Sequence, residues 1–115
     1  MPAYPYREDA LALLHEYTRT DSLRRHALGV EQAMRKMSEK YGGDSDEWGM
    51  TGLLHDFDYE MYPSMEEHPF KGNKILKERG YPETICRAIM GHATYTGIPR
   101  DTDMARALFS VDELT

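Results

Sequence analysis

In the segment Gly52-Leu53-Leu54-His55-Asp56-Phe57-Asp58-Tyr59-Glu60, an apolar run ends on a histidine and an aspartate, and further acids follow within four residues. Upstream, Asp44 or Ser45 can cap a helix that passes through Trp48 to Leu53 and Leu54. Downstream, Tyr59 to Pro63 reads as an irregular connection, so this helix is expected to end near Asp56. In mid-helix, neighbours point about 100° apart and rarely share one target. At a helix end they can fan around an ion.

Outward from that segment the pattern is helix after helix. Toward the N-terminus, Leu23, Ala27, Val30, Ala33, Met34, Met37 and Tyr41 recur every three or four positions. They predict a long helix capped by Asp21 and stopped by Gly42-Gly43. Ala10, Leu11, Leu13, Leu14 and Tyr17 predict an earlier one from about Arg7 to Thr18. Toward the C-terminus, Pro69 suits the first turn of a fourth helix ended by Gly80, and Pro82 opens a fifth with Ile85, Ala88 and Ile89 inward. A loop from Thr94 to Arg100 leads to a sixth, begun by Asp101 or Thr102. Strand signals are absent. The expected fold is all-α, a single-domain bundle of about six helices spanning residues 1–115. Met34, Met37 and Met50, at helical spacing, are expected in its core.

Composition narrows the function. The 115 residues are one domain's worth, 40% hydrophobic and 30% charged, as in soluble globular proteins. Apolar runs are far too short for a membrane span, and the first nine residues lack the features of a signal peptide. The single cysteine, Cys86, cannot close an internal disulfide, which points to a cytoplasmic protein. Net charge is −6, with Lys and Arg scattered among acids, and this argues against a nucleic-acid polymer as partner. A small anionic substrate stays compatible, because a bound metal reverses the local sign of charge.

Polar residues interrupt the apolar stripes at a few places. His26 lies between Leu23, Ala27 and Val30, His92 shares the face of Ile85 and Ile89, and Asp112 that of Leu108 and Phe109. A buried carboxylate needs a partner, and those stripes carry no Lys or Arg. His68 lies 13 positions after His55, where a helix begins. Taken singly, each has a plain structural account: a lone histidine on an apolar face is more often a hydrogen-bonded core residue, and Asp112 near a chain end suits a solvated terminus. His15, beside Glu16, reads as surface. Four of five histidines at inward or helix-end positions, joined by two aspartates, point instead to a metal.

The order His26, His55-Asp56, Asp112 resembles the HD-domain superfamily of metal-dependent phosphohydrolases, and the resemblance covers nearly the whole chain. Gly52 to Glu60 is similar to its central motif, Ala88-Ile89-Met90-Gly91-His92 to a later one, and Val111 to Thr115 to its final aspartate motif. The resemblance implies that His26, His55, Asp56 and Asp112 bind one ion, and that His68 and His92 hold a second with Asp56 bridging. One or two divalent transition ions (Mn, Fe, Co, Ni or Zn) are thus the expected cofactors. The expected activity is hydrolysis of a phosphomonoester or phosphoanhydride in a small molecule, a nucleotide foremost, by water activated on the metal. Asp58 or Glu60 would then move a proton to the leaving oxygen, and Lys71 and Arg100 grip the phosphate.

Two departures stand out. Some branches place a catalytic Glu three residues after the Asp of the pair, where this chain has Tyr59. Family domains also continue past the last aspartate, so part of the wall here is expected to be missing or supplied by a second copy in a homo-oligomer. Two alternatives keep the same scaffold: a diiron oxygenase, which the extra histidines fit equally well, and a non-enzymatic signalling or partner-binding module. Trp48, Tyr59 and Tyr62 could line a pocket for a base.

Overall fold

The long second helix organises the molecule. In the computed structural model, which describes residues 7–114, it runs as α2 from Asp21 to Tyr41. Its residues Ala27, Val30, Met34 and Ser38 are buried along one side. Gly42 ends it in the left-handed conformation, φ 71°, donating its N–H to the Ser38 carbonyl. Around it lie α1 (Arg7–Tyr17), α3 (Ser45–Leu54), α4 (Phe70–Glu78), α5 (Glu83–His92) and α6 (Asp103–Leu114). A short 3-10 turn, Thr94–Thr96, falls in the loop expected between the last two helices. The described residues contain no strand.

Helix ends differ from expectation only in detail. Thr20, in extended conformation, occupies the cap position of α2, and Asp21 is its first helical residue. Asp44 caps α3, its carboxylate accepting from the N–H groups of Asp46 at 2.9 Å and Glu47 at 3.4 Å. Pro69 and Pro82 each stand one residue before their helices rather than within the first turn. The Thr102 hydroxyl accepts from Ala105 N–H at 3.1 Å at the start of α6.

α3 is the central element. Every residue from Trp48 to Leu54 is buried, as expected of a helix apolar on nearly all sides. It packs along α2 and also meets α1, α5 and α6. The α2–α3 crossing is close because residue 52 is glycine: a Cβ there would lie 2.8 Å from the Val30 carbonyl oxygen and 3.0 Å from Met34 Cγ. Met34 and Met50 are in the core, with Met37 packed against it. Trp48 is buried and stacks on Tyr41, ring centroids 6.0 Å apart, so it belongs to the core rather than to a pocket for a base.

The stripe on α2 carries one charge that the periodicity alone did not mark. Glu31 is fully buried and is met by Arg7 at 2.7 and 2.9 Å and by Arg35 at 3.1 and 3.2 Å. Arg35 also reaches Asp46 at 2.9 Å, so the network ties α1, α2 and the start of α3 together. Glu31 lies four residues after buried Ala27 and four before Arg35, a spacing that identifies a paired inward acid. Among the described residues, no buried side-chain nitrogen or oxygen lacks a hydrogen-bond partner, and no helix is long and apolar enough to cross a membrane.

Candidate metal centre

The close crossing of α2 and α3 brings His26 beside His55, their ring centroids 5.1 Å apart. From there the imidazoles run edge to face: His55 to His92 at 5.3 Å, and His92 to His68 at 5.4 Å. His55 and Asp56 stand where α3 ends and a series of turns begins, His68 just before α4, His92 at the last residue of α5, and Asp112 in the last turn of α6.

Two carboxylates thread this row. Asp112 Oδ1 lies 3.0 Å from His26 Nε2 and 3.2 Å from His55 Nε2. Asp56 Oδ2 lies 3.4 Å from His55 Nε2, and its Oδ1 lies 3.2 Å from His68 Nε2 and 3.1 Å from His92 Nε2. The donors form two groups whose atoms lie within 4.8 Å of one another: His26, His55, Asp56 and Asp112, and Asp56, His68 and His92. Asp56 is common to both.

The opposite ring nitrogens are also engaged. His55 Nδ1 meets the Gly52 carbonyl at 2.7 Å, and His92 Nδ1 meets that of Ile89 at 2.5 Å. Nδ1 must donate to a carbonyl, which leaves Nε2 unprotonated and able to bind a cation in the neutral ring. His68 Nδ1 meets a carboxylate instead, Asp58 Oδ1, at 2.6 Å.

The chemistry of this donor set fits a transition metal. Donors about 2.1 Å from a shared ion stand roughly 3 Å apart, and the nitrogen–oxygen distances here run from 3.0 to 3.4 Å. Imidazole with carboxylate suits Mn, Fe, Co, Ni or Zn. Without a cation, the aspartates favour the protonated rings of His55 and His68. Burial alone would lower the His55 pKa, but hydrogen bonds to Asp112 and Asp56 overcome it and push it up to about 10. His68 behaves alike, raised to about 9 against its burial by Asp56 and Asp58. Burial would raise Asp56, yet the imidazoles of His55, His68 and His92 hold it far below the usual carboxylate range. Hydrogen bonding from His55 likewise lowers Asp112.

The other residues singled out from sequence have other employment. Asp58 is buried, with Oδ1 on His68 and Oδ2 accepting from Gly72 N–H at 2.9 Å. Glu60 turns away to the α1–α2 connection, where it accepts from Arg19 N–H at 3.0 Å and Thr20 N–H at 2.8 Å. Lys71 is exposed, its ammonium 5.9 Å from the centre of the Tyr62 ring. Arg100 donates to the Gly91 carbonyl at 2.7 Å and lies 4.0 Å over the Phe109 ring, pinning the loop after α5. His15 is exposed. Sequence reasoning passed over Tyr95, whose hydroxyl donates to the His68 carbonyl. It gave Tyr59 no place beside the histidines, although its ring lies edge-on to His68 at 5.5 Å.

Helices α2, α3, α5 and α6 and the turns before α4 bring four imidazoles and two carboxylates together in an all-helical protein, in two groups that could each hold a metal ion. Residues 23–114 match the HD domain family, and the chain belongs to that family, most of whose members are metal-dependent hydrolases. No curated protein and no solved structure matches it.

Proposed function

We propose that this protein hydrolyses a phosphomonoester or phosphoanhydride in a small phosphorylated molecule, a nucleotide foremost, with one or two divalent transition-metal ions. The observation that carries the reading is the convergence of His26, His55, Asp56 and Asp112, from three distant parts of the chain, within one ion's reach. His68, His92 and the shared Asp56 would hold a second ion. When bound, such ions acidify water and polarise a phosphoryl oxygen.

The chain's own residues do the rest. His55 and His92, fixed by the carbonyls of Gly52 and Ile89, present Nε2 inward. Asp56 joins the two groups and sets their spacing. Asp58 and Glu60, first candidates for moving a proton, have both their oxygens occupied; in this reading Asp58 orients His68 and Glu60 ties down the α1–α2 connection. Lys71, exposed three residues after His68, is the better placed of the two cations to meet a phosphate, since Arg100 is held by Gly91 and Phe109.

Elemental analysis with activity on a chromogenic phosphate and a nucleotide panel, with added Mn or Co, tests this. His55→Ala and Asp56→Ala are expected to lose bound metal and at least about 100-fold in activity, since even residues behind the ligands cost 10–100-fold. Wild-type protein that takes up no metal and gains no activity from Mn or Co would sink the reading. Two irons per chain with oxygen uptake and no phosphatase activity would move the assignment to a diiron oxygenase.

A further inference from the structure

The site imidazoles are not backed alike. His55 and His92 donate to carbonyls of their own helix, whereas His68 faces the carboxylate of Asp58. Asp58 is 1% exposed, and its second oxygen is taken by Gly72 N–H at the start of α4. That approach needs glycine: a Cβ on residue 72 would lie 2.7 Å from Asp58 Cγ. The His68 group is also the poorer in donors, with three side chains where the His26 group has four.

We infer that Asp58 is a positioning residue that makes the Asp56–His68–His92 group competent to hold its own ion, by fixing the His68 ring and strengthening Nε2 as a donor. The inference rests on the metal-centre reading above. A carbonyl behind an imidazole fixes its tautomer, and a carboxylate also draws on the Nδ1 proton and makes Nε2 more basic. Asp58 adds a third negative charge beside Asp56 and Asp112, which offsets more of the repulsion between two neighbouring cations. Its two oxygens accept from two donors, a task for which an amide of the same shape has only one acceptor. Asp58→Asn must therefore turn its NH2 toward either His68 or Gly72.

The test is Mn2+ binding to the metal-free full chain by calorimetry, with electron paramagnetic resonance to separate coupled pairs of ions from single ones. Wild type is expected to bind two ions. Asp58→Asn should weaken the second by roughly 10–100-fold, leave the first unchanged, and lose the coupled-pair signal at stoichiometric metal. Gly72→Ala, which displaces the carboxylate without removing it, should shift the second ion the same way by less, and it carries the test if the Asn variant does not fold. A second ion bound equally tightly by wild type and both variants overturns the inference and leaves the hydrolase reading standing. So does a wild type that holds a single ion. A wild type that holds none overturns both.

Discussion

His55 is fully buried, and its imidazole lies between Asp56 and Asp112. In the metal-free protein its pKa, about 10 against an ordinary 6.5, makes stability depend on pH. Below 6.5 the ring is protonated in folded and unfolded chains alike, and its attraction to the aspartates contributes in full. As pH climbs toward 9 and then 10, the unfolded chain gives up the proton first, and the contributions of His68 and His55 are lost. The aspartates behave oppositely: their contribution is present above the ordinary value of 3.8 and is lost as pH falls below it. Denaturant melts of chelated protein should therefore show greatest stability between about pH 4 and 6.5 and a decline toward pH 10. A flat profile on the alkaline side would contradict this. Metal affinity should run the other way and rise with pH, because the ion displaces those protons.

At the scale of elements, the α2–α3 crossing sets the first group of donors. Gly52 lets the Val30 backbone come close, and across that crossing His26 lies beside His55. Gly52→Ala would gain about 0.5–1 kcal/mol in helix propensity. Against that, its Cβ would press on a backbone oxygen that cannot rotate away, and overpacking of this kind costs about 1–3 kcal/mol. The clash should win, with a lower melting temperature and weaker binding of the ion shared by His26 and His55. Unchanged melting and metal affinity would show that the crossing has slack. Glu31, held by Arg7 and Arg35, braces the same pair of helices from the side.

For the whole molecule, donors from residue 26 to residue 112 meet only in the folded chain, so an ion held by them would bind the native state in preference to the unfolded one. At a free metal concentration 100 times its dissociation constant, the stabilisation is about 2.7 kcal/mol. For a domain of this size that raises the melting temperature on the order of 10 °C. Thermal unfolding with chelator and with added Mn2+ measures it. Coincident curves would mean that the donors meet without binding.

What could be read from the chain followed from local chemistry. Apolar spacing and the punctuation of Gly, Pro and Asp placed six helices to within a residue or two, because helix formation and capping depend on neighbours a few positions apart. The same periodicity turned His26, His92 and Asp112 inward and so exposed the outline of the candidate metal centre. The direction of Asp58 and Glu60 was not legible. They sit two residues apart in a run of turns, where no helical period dictates which way a side chain points. Long-range packing decided it: α4, docked through Gly72, drew Asp58 onto His68, and the α1–α2 connection claimed Glu60. Likewise, only the folded bundle revealed that Arg100 is spent on Gly91 and Phe109. Residues in regular helices announce their faces in the sequence; those in turns take their partners from whatever distant element the core brings alongside.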